Sequence, residues 1–190
     1  MYMGGTMRKF IISGVMAVLL SGCAGTGSQT PEAPWGFTWG QTPAELKALN
    51  LDEFDCTTTR DGGQLCSALE SPDVKKQFFM LVFSPEGQKL NAISRFGVWN
   101  HDQTALLNEY DSVNAEMEKI YGKPAGINEE YDRKTPFLEK VAKGKIGQFK
   151  RKYESKDTDV VVGVVSNANL VQINDEKDVT YTVLTMYTLK

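Results

Sequence analysis

The feature that most constrains this chain is its amino terminus, which carries the pattern of an export signal. A short cationic head at 7–9 (Met-Arg-Lys) precedes an almost wholly apolar run at 10–20, and small residues then lead to Cys23. This order of charge, apolar run and small exit residues is typical of a secretory signal peptide. The rest of the chain is therefore expected to fold outside the cytoplasm, where cysteines can be oxidised.

The residues that close the leader, Leu20-Ser21-Gly22-Cys23, resemble the lipobox of bacterial lipoproteins. The resemblance implies cleavage just before Cys23, diacylation of its thiol and, usually, acylation of the new amine. Several acyl chains anchor a protein stably, whereas a single chain holds only marginally. Ala24 stands where an aspartate resembles an inner-membrane retention signal. For a Gram-negative source, the resemblance therefore implies the outer membrane, facing the periplasm.

Two points at the amino terminus stay open. The run at 10–20 could instead be a buried core helix, although Cys23 and the small residues after it would then have no explanation. Met1, Met3 and Met7 can each begin the chain, and the leader that starts at Met7 has the most regular pattern. The sequence thus predicts a signal peptide (1–22), a lipidated flexible tether (23–34) of small, polar and Pro residues, and one domain (35–190).

Charge and composition narrow the function classes. The chain has 21 basic and 24 acidic residues, a net charge of −3, and loss of the leader with its two basic residues would make this −5. A mildly acidic protein lacks the basic surface that nucleic-acid binding requires, so nucleic acid is not an expected partner. Hydrophobic residues make up 41% of the chain and aromatic residues 10%, which is typical of a globular domain.

The domain opens with an aromatic segment. Phe37 and Trp39 alternate with small residues, which predicts a short strand at 35–40 with one buried face. Together with Trp35 these side chains could dock a partner, but filling of the core is the favoured interpretation. A capped helix follows: Thr42 suits the cap, Pro43 the first position and Glu45 the capping box, with Leu46 and Leu49 on one face.

The two remaining cysteines flank a hairpin signal. The turn sequence Arg-Asp-Gly-Gly occupies 60–63, between two predicted strands. A three-residue loop with Gly62 left-handed places Cys56 opposite Cys66, within disulfide reach, whereas a two-residue turn shifts the pairing by one and prevents the bond. Export favours a structural disulfide, because lipid consumes Cys23 and leaves an even pair.

The rest of the chain predicts further strands and one long helix. Strands are expected at 77–84, 89–99, 148–154, 159–167 and 178–189, a long helix ends at Gly122, a polar connection covers 125–133, and a short helical turn begins at 135. On 89–99, Leu90, Ala92, Phe96 and Val98 are expected on one face. The fold class is therefore α+β: a mainly antiparallel sheet with one short N-terminal helix and one long central helix packed on it.

Two short segments carry a resemblance to known proteins. Phe-Thr-Trp-Gly at 37–40, with the helix after it, and Tyr-Gly-Lys-Pro at 121–124 are similar to segments of a common class of small exported bacterial proteins, much of which has no assigned activity. More remotely, the order resembles the SmpA/OmlA-type envelope lipoproteins, whose small α+β domain supports outer-membrane assembly. Their motif departs from this chain after the first helix, so the resemblance implies architecture and location only.

The sequence offers no coherent catalytic or metal-binding set. His101 is the one histidine, no Gly-x-Ser-x-Gly elbow is present, and the residue is expected at the surface near a helix start. The acidic segment 174–178 lacks calcium-loop spacing and is interpreted as a hairpin turn. We therefore expect no catalytic residue, no metal site and no cofactor.

A basic run is the main candidate for binding. It consists of Lys143, Lys145, Lys150, Arg151 and Lys152. It could contact anionic lipid headgroups or an acidic partner, or be a solvated strand face. The leading hypothesis is a membrane-anchored, non-enzymatic binding or scaffolding protein of the envelope. The alternatives are an inhibitor of a periplasmic hydrolase and, third, a glycan-acting enzyme that uses two carboxylates.

Overall fold

The computed structural model describes residues 32–134, 137–144, 147–170 and 178–190. The predicted leader, Cys23, Lys145 and most of the acidic segment 174–178 lie outside these ranges. Glu32 bridges Thr38 and Ala33 is buried in the core, although both belong to the predicted tether. The folded part therefore begins at least three residues earlier than the predicted boundary, because the core uses Ala33.

The fold is α+β and is built on one antiparallel sheet of eight strands, which confirms the predicted class. The strands are β1 (Asp55–Thr58), β2 (Gln64–Ala68), β3 (Phe79–Phe83), β4 (Leu90–Phe96), β5 (Gly126–Glu129), β6 (Phe149–Glu154), β7 (Thr158–Ser166) and β8 (Tyr181–Leu189). The helices are α1 (Pro43–Lys47), α2 (Gln103–Tyr121) and α3 (Phe137–Lys143), with 3₁₀ turns at Pro34–Gly36 and Asn167–Asn169. Across the sheet the strand order is β1-β2-β3-β4-β8-β7-β6-β5.

The segment predicted as a strand at 35–40 is instead a 3₁₀ turn followed by a single bridge. Trp35, Gly36 and Gly40 have positive φ angles of 59°, 79° and 78°, a conformation that breaks an extended strand and that glycine adopts easily. Phe37 and Trp39 are nevertheless buried, each 3% exposed. The expected burial is therefore correct, whereas the expected backbone is wrong.

Helix α1 begins as predicted and ends early. The Thr42 hydroxyl accepts from the Glu45 amide, and the Glu45 carboxylate accepts from the Thr42 amide at 2.6 Å, which completes the capping box. Leu46 is fully buried, but Leu49 lies beyond the helix end at Lys47 and is 46% exposed. The expectation that Leu49 shares the buried face is wrong because the helix has too few turns to carry it there.

A β-bulge changes the predicted face of β4. Val82 pairs with Ala92 but Phe83 pairs with Leu90, so Asn91 is an extra residue and the alternation shifts by one. Leu90 consequently shares a face with Ile93 rather than with Ala92. Val98, expected on the same face, lies beyond the strand and is 70% exposed.

Strand β5 falls inside the predicted polar connection 125–133. Its residues pair with β6, with Glu129 opposite Phe149. Glu129 accepts hydrogen bonds from Arg151 at 2.8 Å and from the Tyr110 hydroxyl at 3.1 Å. A four-residue segment with Gly and Asn has little strand propensity of its own, so its conformation depends on these contacts.

The core lies on one side of the sheet, which we call the helix face. Because paired residues point to the same side, the register places Leu81, Ile93, Tyr187, Val160 and Tyr153 in one row there. All five side chains are buried. This row crosses five neighbouring strands and forms the centre of the hydrophobic core.

The helical elements contact this same face. The Tyr153 hydroxyl donates to Asn114 of α2 at 2.8 Å, and the Phe137 ring of α3 lies 4.9 Å from that of Phe149. The Trp35 ring of the first 3₁₀ turn lies 5.1 Å from Tyr187. Helix α1 lines a depression together with Cys56, which the register places in the row of Leu81.

A candidate binding surface on the open face of the sheet

The side of the sheet opposite the helix face, which we call the open face, carries the other set of alternating side chains. Its central row runs from Ser67 through Met80, Ser94 and Met186 to Val161. Within the ranges that the structure describes, no helix packs on this side. The helices therefore cover one face only, although Phe96, Val165 and Thr182 at one end of the open face are also buried.

The centre of the open face is apolar. The partly exposed apolar side chains on it are Leu65, Met80, Val82, Val161, Leu184 and Met186. Antiparallel sheets that are covered on one side usually present polar residues on the other. A contiguous exposed apolar patch on a globular protein marks an interaction site more often than a scatter of single residues does.

An aromatic cluster borders this patch at the end of β4. The Phe96 ring lies 5.2 Å from Phe78 and is stacked 5.9 Å from Trp99. Phe96 itself is buried, whereas Phe78 and Trp99 are partly exposed. Val98, which precedes Trp99 in the loop, is largely exposed to solvent. The patch thus ends in rigid rings of the kind that anchor protein interfaces.

Charged side chains border the patch on β6. Lys150 and Lys152 lie on the open face, opposite Gly163 and Val161. The Lys152 ammonium contacts Glu154 at 2.6 Å and Asp159 at 2.9 Å, and these bonds raise its pKa. Lys150 has no ion pair within the described part of the chain. Its charge is therefore available to a partner in a way that the charge of Lys152 is not.

The predicted basic run does not form one surface. Arg151 alternates with its neighbours and lies on the helix face, where it contacts Glu129 at 2.8 Å and Glu118 at 3.4 Å. Partial burial alone would lower the pKa of Arg151, but its hydrogen bond and charge interaction with Glu129 outweigh this and raise it. Lys143, at the end of α3, is paired with Glu139. The period-2 alternation of a strand separates these cations.

The hairpin β1–β2 has the register that the predicted disulfide requires. Cys56 pairs directly with Cys66, the Thr59 amide donates to Gly63, and Gly62 has a φ of 87°. The loop is therefore the predicted three-residue one. The two sulfur atoms lie 2.00 Å apart, which is a disulfide distance.

His101 and the acidic side chains were the remaining residues considered for catalysis or metal binding. His101 is exposed, just before α2. In the described part, no group of three or more His, Cys, Asp or Glu side chains could hold a metal ion. Among the described helices, none has the length and hydropathy needed to span a bilayer. No family model, curated protein or solved structure matches this chain.

The open face was not predicted from the sequence, although the sequence contains a signal for it. The run at 77–84 is apolar at every position of β3, and β8 places Leu184 and Met186 between its core residues. A strand that is apolar on both sides requires burial on both sides or a partner on one. The pattern predicts a binding surface only when it is known which side of the sheet the helices cover.

Proposed function

We propose that this chain is a lipid-anchored protein of the cell envelope whose single α+β domain binds another envelope protein and performs no catalysis. The open face is the observation that carries the binding role, because the apolar side chains at its centre are partly exposed. The anchor rests on the leader and on Cys23, which lie outside the described residues. Helices α1 and α2 pack on the helix face, on the opposite side of the sheet from this binding surface.

The anchor sets where binding takes place. About 11 residues of coil-like tether reach roughly 20 Å, so the domain stays close to the bilayer. Ala24 favours the outer membrane and a domain that faces the periplasm. The partner is then either another membrane-bound protein or a soluble protein. Binding to the anchored domain would concentrate a soluble partner at the membrane.

The anchor is tested by the variant Cys23→Ala in cells that are fed a labelled fatty acid. We expect loss of the label and an uncut leader, because the thiol is the acylated atom and its acylation precedes cleavage. The matched control is Cys66→Ala, which should keep the label. A labelled Cys23→Ala variant would contradict the anchor.

The binding role is tested by a photoreactive residue placed at Met186, with Lys123 as the matched exposed position away from the open face. In intact cells we expect one dominant crosslinked protein from position 186 and none from position 123. The same protein should be lost from the crosslink when Met80→Glu is added, because a charge disfavours apolar docking. Equal crosslinking from both positions would contradict an interface on the open face.

A second candidate function, inhibition of a periplasmic hydrolase, is favoured by the β1–β2 loop. Arg60, Asp61 and Gly62 are exposed, the loop is braced by the nearby cysteine pair, and the Gln88 side chain donates to the Gly62 carbonyl at 2.8 Å. A preorganised exposed loop enters an enzyme cleft at low entropic cost. Inhibition of purified peptidoglycan hydrolases that is lost in Arg60→Ala, but kept in Met186→Glu, would favour this function over docking on the open face.

A further inference from the structure

We infer that the open face binds one amphipathic α-helix of a partner protein, with a carboxylate of that helix beside Lys150. The inference rests on the proposed function and deepens it by naming the chemistry of the partner. Three properties of the open face support it: the closed backbone of its strands, the size and shape of its apolar centre, and its local charge.

The backbone of the central strands is already satisfied. β3, β4, β8 and β7 each have a hydrogen-bonded strand on both sides. A partner therefore cannot add a strand in this part of the sheet and contacts side chains only. It must bring a segment whose own backbone groups are paired, which for a single short segment means an α-helix.

The apolar centre has the size of one helix. From Leu65 on β2 to Val161 on β7 the patch crosses five strands. At about 4.8 Å spacing it is roughly 19 Å wide, which matches about thirteen residues of helix at 1.5 Å per residue. Two of these strands, β7 and β8, already carry a helix on their other side, where α2 packs on them.

The surface of the centre is also suited to a helix. In the central row Ser94 separates Met80 from Met186, so a small residue lies between two long ones. Gly163, which has no side chain, lies between Leu184 and Lys150 in the neighbouring row. Methionine side chains adapt to the shape of an incoming apolar surface, which is why they are frequent where helices dock.

The charges of the protein favour a protein partner over a membrane surface. Lys150 has no ion pair within the described residues and borders the apolar centre, so a carboxylate placed there gains a local attraction. The whole chain carries a net charge of −3, which opposes contact with an extended anionic bilayer. A helix with a single well-placed carboxylate satisfies both conditions.

The test uses two synthetic 18-residue peptides with the same apolar stripe and a neutral polar face. They differ only in two residues at one end, which are Glu in one peptide and Lys in the other. Binding to the full-length chain in zwitterionic lipid nanodiscs is measured by fluorescence anisotropy. We expect the Glu peptide to bind at least about fivefold more tightly, because one interfacial ion pair is gained.

Variants locate the contact and the charge. Met186→Glu should weaken both peptides by about tenfold or more, and Lys150→Glu should reverse the preference between the two. Lys123→Glu, an equal charge change on an exposed loop, is the control that leaves both affinities unchanged. Because Lys150 is partly exposed, Lys150→Glu should leave the fold intact. It therefore tests binding even if Met186→Glu does not fold.

Equal affinity for both peptides, or binding that Lys150→Glu does not alter, would overturn the inference. A dimer in sedimentation that Met186→Glu dissociates would assign the open face to a second copy of the chain. Met186-dependent attachment to phosphatidylglycerol vesicles would assign it to a lipid surface. If neither peptide binds while position 186 still crosslinks a protein in cells, the helix is wrong and the proposed function stands.

Discussion

The two faces of one sheet have different tasks in this protein. Strand β8 contributes to both: Val183 and Tyr187 are buried on the helix face, whereas Leu184 and Met186 are partly exposed on the open face. Apolar residues of one strand therefore lie in two environments, the buried helix face and the partly exposed open face. The difference follows from the helices, which all contact one side.

This asymmetry separates stability from recognition. Full burial of a large apolar side chain contributes about 1.5–3 kcal/mol to the free energy of unfolding. Many side chains on the helix face make this contribution. On the open face the same kind of side chain keeps part of its apolar surface in water. Within the described residues nothing buries that surface, so substitutions there should alter the binding of a partner far more than folding.

The strongest test of this comparison is a pair of truncations on neighbouring strands. Ile93→Ala should lower the free energy of unfolding by about 2–5 kcal/mol, because it leaves a cavity in a row that is fully buried. Met186→Ala should lower it by less than about 1 kcal/mol, since the side chain already contacts solvent. Urea denaturation followed by circular dichroism measures both. Similar losses would mean that the open face is covered in the isolated protein.

The next effect concerns the edge of the sheet, where Cys56 and Cys66 continue the buried row of Leu81. Reduction should lower the free energy of unfolding by up to about 3 kcal/mol, because the crosslink no longer restricts the unfolded chain. Melting curves with and without reductant measure this. The variant with both Cys56→Ala and Cys66→Ala is the control, and its melting temperature should not respond to reductant.

A buried polar contact tests how the helix face is held together. Asn114 of α2 accepts from the Tyr153 hydroxyl and donates to the Tyr110 carbonyl, both at 2.8 Å. Asn114→Leu should cost about 1–3 kcal/mol, because the Tyr153 hydroxyl then keeps only its longer hydrogen bond, at 3.2 Å, to the backbone carbonyl of residue 114. In a double-mutant cycle, Tyr153→Phe should recover part of this loss. Strict additivity of the two changes would show that the hydrogen bond contributes nothing.

The smallest expected effect depends on pH and involves Glu109 of α2. Burial raises its pKa above the usual 4.5, although the charge of Arg95 partly opposes this. The folded state therefore binds its proton more tightly than the unfolded state, and stability falls as pH rises from about 4.5 through the raised pKa.

Glu109→Gln removes this loss. At pH 7 the variant should be more stable than the unmodified chain by less than about 1 kcal/mol, since the group is only partly buried. The difference should disappear below the usual glutamate pKa. Thermal unfolding across the pH range measures it, with Glu116→Gln on the exposed side of α2 as control. A benefit that persists at acid pH would have another origin.

Local signals predicted the features that depend on a few adjacent residues. The capping box at Thr42 and Glu45, the three-residue loop with Gly62, and the register of Cys56 with Cys66 all follow from hydrogen bonds and steric limits within a short stretch. The α+β class followed because periodicity of apolar residues is a property of each element alone.

Other wrong predictions depend on pairing between strands rather than on the local sequence. Strand β5 forms because Glu129 meets Arg151, and the face of Leu90 is set by a bulge opposite Phe83. The basic run failed as one surface for a related reason. Lys150 and Arg151 are neighbours in sequence but lie on opposite sides of the sheet.

The sequence by itself determined which residues are apolar, where the chain turns and which cysteines are paired in register, because these properties are local. Only the tertiary structure decided which side of the sheet the helices cover. That choice depends on how all the elements share one limited core, since a helix packs wherever it buries the most apolar surface. The residual apolar face, with Met80 and Met186 at its centre, is the consequence.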